Sequence, residues 1–357
     1  MPTRTSTTPD IAPPPGVDPA TAPATRNAPW RSRLVAAGWM GHWLLRIGLA
    51  GIIAVYGWSK VFLLQMGRAD VGDALVQFGE MSPMGLLWRL MGFSPLVQCL
   101  AGLAEVLAAV LLVWRRTAGL GALIGAADMG VVFVLNLAYD VPVKQLSLAL
   151  TVGCLLVLAP YATRFARALL GSGPVPAGPS AEAVPFPRVR RFTRFAGPLA
   201  GLALVALAGA GVVGTVTTPV PMGHGVPGVY RVTQDAARPS AQLSRDARWS
   251  QVSFARDGFQ GRATVSIRLA DGRLYLGGYR IPKPGTIEIT RGAPLHRDEP
   301  SSAKGATAQT LTLSFTRAGD GLHLVGAGQD VVLTPDPEAT FLHDRGVSWD
   351  PRPPLNR

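Results

Sequence analysis

Cysteine is scarce, with two residues in 357. That excludes a disulfide-dense secreted scaffold and any cluster needing four thiolates. Charge is scarce too. Asp, Glu, Lys and Arg make up 16% of the chain, where soluble domains carry about 25%. Acidic residues are the rarer sign, 22 against 34 Lys and Arg. Of the five histidines, only His42 falls near a long apolar run, so two buried histidines of one chain cannot hold a haem. No HxxEH or CxxC spacing offers a metal site. No GxGxxG or GxxxxGKS loop opens a helix, so no nucleotide cofactor is indicated. No GxSxG turn marks a hydrolase nucleophile. Cys99 and Cys154 fall at depths about 9 Å apart in their runs, too far for an unstrained bridge.

Long apolar runs are abundant, and 48% of the chain is hydrophobic. A membrane span needs about 20 mainly apolar residues, and five runs qualify. The first lies within residues 34–64, with Arg46 and Lys60 near its ends. The second covers about 94–114 and contains Glu105. The third covers about 117–139 and contains Asp128. The fourth covers about 143–162 and begins at Lys144. The fifth, 195–218, is uncharged. Residues 1–33, rich in Pro, Thr and Ala, read as a disordered cytoplasmic tail. The first apolar run begins too late and is too long for a cleaved signal.

Orientation follows from Lys and Arg in the short loops. Arg26, Arg31 and Arg33, then Arg115 and Arg116, then Arg164, Arg167, Arg188, Arg190, Arg191 and Arg194 fall on one side. The other side holds Arg68 and Arg89, with Lys144 at a helix edge, beside Asp70, Asp73, Glu80 and Asp140. The expectation is a multi-pass protein of the inner or plasma membrane, with a cytoplasmic N-terminus and an extracytoplasmic C-terminal region. Basic residues beside spans favour anionic lipid. They follow the loop sides rather than forming a nucleic-acid module, so no nucleic-acid partner is expected.

The domain reading is a four-helix membrane domain over 34–170, a Pro, Gly and Arg-rich linker over 171–194, a fifth transmembrane helix over 195–218 and an extracytoplasmic β-domain over 225–357. Small residues four apart on the fifth run (Gly197 and Gly201, Ala206 and Ala210, then Gly214) permit close helix packing. From Val226 the apolar period becomes two. Eight candidate strands start at Gly228, Trp249, Arg262, Arg273, Thr286, Gln309, Gly321 and Asp330. Asp271-Gly272 is a hairpin turn signal. Many short strands with frequent turns predict an all-β barrel or sandwich.

Ionisable groups at membrane depth are functional candidates. Glu105 and Asp128 lie 11 and 12 residues either side of Arg116, which places both near mid-membrane. If they face each other, they share a proton. Alternatively Arg46 approaches Glu105 and the groups tie helices together. Lys60 and Lys144, near Asp140, form a cationic rim for an anionic substrate or quinone headgroup, or else snorkel to the interface. Trp39, Trp43, Trp58, Trp88 and Trp114 read as interfacial anchors.

Several segments together resemble the DoxX family of four-helix membrane proteins. They are Arg46-Ile-Gly-Leu and Gly57-Trp-Ser-Lys60, Gly102-Leu-Ala-Glu105-Val-Leu-Ala-Ala, and Tyr139-Asp-Val-Pro-Val-Lys144. The ending, Arg345-Gly-Val-Ser-Trp349 with Pro354-Leu-Asn-Arg357, is similar to that of a subgroup with a fifth helix and an outer domain. The resemblance implies a subunit of a membrane redox complex, without a catalytic motif or intrinsic cofactor of its own, that meets a quinone or a redox partner subunit. It leaves room for a homo-oligomer. Two alternatives stand beside it: a membrane-anchored binding or scaffold protein using its outer β-domain, and a transporter of small solutes or ions.

Overall fold

The computed structural model describes residues 29–171, 173–174, 187–215, 220–259, 262–295, 308–346 and 348–356. The expected tail lies mostly outside these residues, as do residues 172 and 175–186 of the expected linker.

The membrane part is built from α1 (Pro29–Val61), α2 (Pro83–Phe93), α3 (Pro95–Val113), α4 (Ala118–Ala138), α5 (Lys144–Leu158), α6 (Ala162–Leu170) and α7 (Pro187–Val213). Five segments are long and apolar enough to cross a membrane: Arg33–Val61, Pro95–Val113, Ala118–Ala138, Lys144–Leu170 and Phe195–Val213. Their outer faces are apolar. Leu96, Leu100, Leu103 and Leu107 of α3 are exposed at helical spacing, while Gly102, Glu105 and Ala109 are buried behind them. The chain is a multi-pass membrane protein.

The caps explain the helix boundaries. The Ser82 hydroxyl accepts from the Gly85 N–H at 3.0 Å, and Pro83 opens α2. Ser94 accepts from the Val97 N–H, and Pro95 opens α3. A serine cap followed by proline is a helix start signal, and at Ser82-Pro83 it marks a helix that hydropathy alone passes over. Helix α1 takes in the last five residues of the expected tail, 29–33. Helix α7 begins at Pro187, so the expected linker over 171–194 ends early. Its arginines are good helix formers, and proline suits the first turn.

Helices α1, α3, α4 and α5 form the bundle around Ala50, Ile53, Leu112, Ala122, Met129 and Cys154. Helix α7 lies along α1 and α3. Its packing stripe is Gly201, Val205 and Gly209, with Gly197 near Trp43. A Cβ on Gly201 would stand 2.7 Å from Val113, and one on Gly209 would stand 3.0 Å from the Trp58 ring. Ala206, Ala210 and Gly214 face away. Of the small residues expected to pack, Gly197 and Gly201 do, and the stripe then continues through Gly209 because four-residue steps keep one face. Trp58 serves this contact, donating to the Val205 carbonyl at 3.1 Å.

After α7 come β1 (Val220–Pro221), β2 (Gly228–Asp235), β3 (Trp249–Phe259), β4 (Arg262–Leu269), β5 (Leu274–Lys283), β6 (Thr286–Pro294), β7 (Gln309–Ala318), β8 (Gly321–Gly326) and β9 (Gln329–Pro335), then a short helix α8 (Phe341–Arg345). Strands β2 to β9 pair antiparallel in sequence order, and β9 returns to β2 through Arg231 opposite Thr334. The result is a closed eight-stranded up-and-down barrel. Closure removes the exposed edges. The Asp271-Gly272 turn joins β4 to β5, with Gly272 at φ +90°.

The barrel is filled. Phe254, Val265, Ile267, Tyr279, Ile289 and Leu313 are among its buried interior residues. The Tyr279 hydroxyl donates to the Ala255 carbonyl at 2.7 Å. Phe254 and Tyr279 meet edge to face with centroids 5.1 Å apart. An eight-stranded barrel is narrow enough for side chains alone to fill it.

The α1–α3 loop straps the barrel to the bundle. Val71, Leu75 and Val76 pack with Val229 and Leu274 in a second buried cluster, on the strand face opposite the barrel interior. The Asp70 carboxylate accepts the Arg256 and Asp257 backbone N–H groups at 2.8 and 2.9 Å. The buried hydroxyls of Ser253 and Ser266 lie 2.9 and 2.7 Å from the Gly72 carbonyl and 2.6 Å from each other. Two hydroxyl hydrogens thus serve three contacts. Arg268 donates to both carboxylate oxygens of Glu80, at 2.9 and 2.7 Å, and to the Leu75 carbonyl.

Candidate functional site

Two glycines create the site. Gly57 of α1 and Gly102 of α3 let the helix backbones touch. A Cβ on Gly102 would stand 2.5 Å from the Gly57 carbonyl oxygen, and one on Gly57 would stand 2.9 Å from the Gly102 carbonyl oxygen. The contact lays Lys60 over Gly102 and Glu105 over Gly57. Each charged residue is three positions beyond its glycine. Such small-residue crossings are how membrane helices approach closely.

There Lys60 donates to Glu105 Oε1 in a buried ion pair. Lys60 is 4% exposed and Glu105 is 1% exposed. Asp128 of α4 is the third member, within electrostatic reach of both. Glu105 Oε2 and Asp128 Oδ2 are buried and accept no hydrogen bond among the described residues. Cys154 packs against Gly125, one turn along α4 from Asp128.

The other expected members lie elsewhere. Arg46 does not approach Glu105. Its guanidinium donates to the Leu112 and Val113 carbonyls at 2.8 and 2.7 Å, the unsatisfied C-terminal end of α3. Lys60 and Lys144 form no common rim, because Lys60 is turned inward by the glycine crossing. Lys144 pairs instead with Asp140, four residues before it, at 2.6 Å. That lysine holds the Asp140 carboxyl below its ordinary range. Asp140 itself has φ +50°, a conformation that Asp tolerates better than most residues. The hydrogen-bond partner of Glu105 is Lys60, not Asp128.

Three buried polar residues escape a search for charges. Gln98, fully buried, donates to the Gly67 carbonyl at 3.0 Å, and its carbonyl oxygen accepts the Met66 N–H at 3.2 Å. It ties the loop to α3. Asn136 donates to Ser147 at 3.1 Å between α4 and α5. A polar residue inside an apolar run is the signal that marks each of them. Among the described residues, no three of His, Cys, Asp and Glu gather as a metal-binding group. Both cysteines are free.

No family model matches the chain, and no solved structure matches it. Its sequence is 34% identical over 113 residues to the uncharacterized protein YwoB of Bacillus subtilis strain 168, an alignment that covers 32% of this chain and 71% of YwoB. With that identity over that share of YwoB, the chain belongs to the YwoB family.

Proposed function

We propose that this is a DoxX-like subunit of a membrane redox complex, whose Lys60, Glu105 and Asp128 handle a proton beside a quinone or a redox partner. One observation carries this reading: a single ammonium, shielded from solvent, is paired with the Glu105 carboxylate, while a buried oxygen of a second carboxylate on another helix, Asp128, has no hydrogen-bond partner among the described residues. One ammonium matches one carboxylate. In a low-dielectric bundle the second carboxylate's charge is costly, and a bound proton offsets it. A change of charge nearby, such as quinone reduction, would then release or take up that proton. The electrons would belong to the quinone or the partner, since the chain carries no cofactor motif.

The membrane would be the plasma or inner membrane, with a cytoplasmic N-terminus and an extracytoplasmic barrel. Two things support this orientation: the Lys and Arg bias of the loops, and the seating of the barrel on the α1–α3 loop, away from the Arg115–Arg116 turn.

The test is native mass spectrometry of the full chain from mild detergent, paired with quinone-linked activity in membranes. Quinone or a redox chain should co-purify, and Glu105→Gln or Asp128→Asn should lower the activity while the protein stays folded. Undiminished activity in both variants would remove the site. An empty, partnerless protein would favour a scaffold.

A further inference from the structure

A cleft of about 690 Å³ opens where the bundle meets the barrel, within the ordinary range of about 300–1,000 Å³ for ligand sites. Its floor is apolar: Val71, Phe93, Pro95, Ala255 and Ala263. Its charged residues are Arg68, Arg256, Arg262, Asp70 and Asp257, with His343 beside them. With Asp344, which pairs with Arg256, three guanidiniums meet three carboxylates here.

Much of this charge is already engaged. Both oxygens of Asp70 accept backbone N–H groups, and Arg256 pairs with Asp344 at 2.5 Å. Arg68 and Arg262 are exposed and have no ion pair among the described residues. They reach the cleft from opposite parts of the fold, one from the α1–α3 loop and one from β4.

The depth of the cleft distinguishes a lipid from a soluble anion. Pro95 is the first residue of a span, and Phe93, 42% exposed, precedes it. The cleft therefore opens at the boundary between hydrocarbon and headgroups, with its apolar floor continuous with the apolar face of α3. Two guanidiniums without ion pairs among the described residues, at headgroup level, suit a phosphate headgroup. Arginine binds phosphate through paired N–H donors.

We propose that this cleft holds the headgroup of an anionic phospholipid from the adjoining leaflet, with its phosphate between Arg68 and Arg262 and its glycerol end against Phe93 and Pro95. The lipid would bridge bundle and barrel beside the loop strap.

The full chain in nanodiscs of mixed phosphatidylglycerol and phosphatidylcholine provides the test, with retained lipids counted by native mass spectrometry. The unaltered protein should keep one phosphatidylglycerol in preference to phosphatidylcholine. The doubly substituted Arg68→Gln/Arg262→Gln protein should bind it roughly thirtyfold more weakly. Arg280→Gln, which removes an exposed barrel ion pair with Glu288, should keep it. Equal retention by the double variant and the unaltered chain would overturn the proposal. Equal retention of the two lipids by the unaltered protein would overturn it as well, whether or not the variant folds. So would full displacement of the lipid by equimolar inorganic phosphate, because the apolar floor would then contribute nothing.

Discussion

Lys60 and Glu105 meet because Gly57 and Gly102 touch. Lys60 lies level with Gly102 and Glu105 level with Gly57, so the two charged residues are offset by three positions, roughly 4.5 Å along the helix axes. Their long side chains close that gap into a buried ion pair. The glycines and the charges are one device: either glycine with a side chain would push the helices apart.

Gly102→Ala should therefore destabilise the bundle by about 1–3 kcal/mol. The new methyl would meet backbone, the Gly57 carbonyl oxygen at 2.5 Å, which cannot rotate away as a side chain can. Thermal unfolding in detergent reads the loss. A transition unchanged from that of the native chain would mean that the crossing is looser than described.

Removing one partner of the pair should cost more than removing both. Lys60→Met leaves Glu105 buried without its cation, and such uncompensated charges cost about 3–5 kcal/mol. Lys60→Met with Glu105→Leu should recover much of that loss. A double-mutant cycle on the unfolding transition measures the coupling. Additive losses would show that the pair does not interact.

Arg46 satisfies the end of α3 through two carbonyls. Arg46→Met should cost about 1–3 kcal/mol, as buried acceptors lose their donors. Arg46→Lys should recover only part, because an ammonium cannot reproduce the fork of the guanidinium. The same unfolding assay distinguishes these outcomes. Full rescue by lysine would mean that charge, not geometry, matters there.

The strap should weaken in acid. The Arg268 guanidinium holds the Glu80 carboxyl below its ordinary range. A carboxylate depressed in the folded state stabilises it above the unfolded value, and that contribution fades as pH falls through the folded value. Docking should be steady at neutral pH and loosen below about pH 4. Hydrogen exchange at Leu75 and Val76 as a function of pH would show it, and Glu80→Gln should flatten the dependence. An acid response that survives in Glu80→Gln would assign it to another group.

Gly72→Ala tests the strap by shape. Its methyl would stand 2.7 Å from Ala255 Cβ and 2.9 Å from the Thr264 carbonyl oxygen. Faster exchange across residues 70–80, with the barrel core still protected, is the expected result. Unchanged exchange would count against close docking.

The spans were legible because hydropathy is a sum over many residues. The expected edges at Ser94, Trp114, Thr117 and Tyr139 fall on the capping residues of α3 and α4. The eight strands were legible from alternation, as at Thr310–Thr316 in β7. Barrel closure was not, because the pairing of Arg231 with Thr334 joins distant residues and leaves no local trace. The partner of Glu105 was hidden for a related reason. Periodicity gives depth but neither helix rotation nor the offset between neighbours, and both are set by the Gly57–Gly102 contact. The strap was invisible because its loop has no apolar period; only Val71, Leu75 and Val76 betray it, and they look like any short apolar cluster.

The strap also sets an order of assembly. The Gly72 carbonyl waits for Ser253 and Ser266, which follow it by 181 and 194 residues. A ribosome must therefore finish the bundle and strands β2 to β4 before the Gly72 carbonyl finds its partners. Until then Val71, Leu75 and Val76 are uncovered. A chain stopped before β4 would keep its five spans and present that apolar loop to the quality-control machinery.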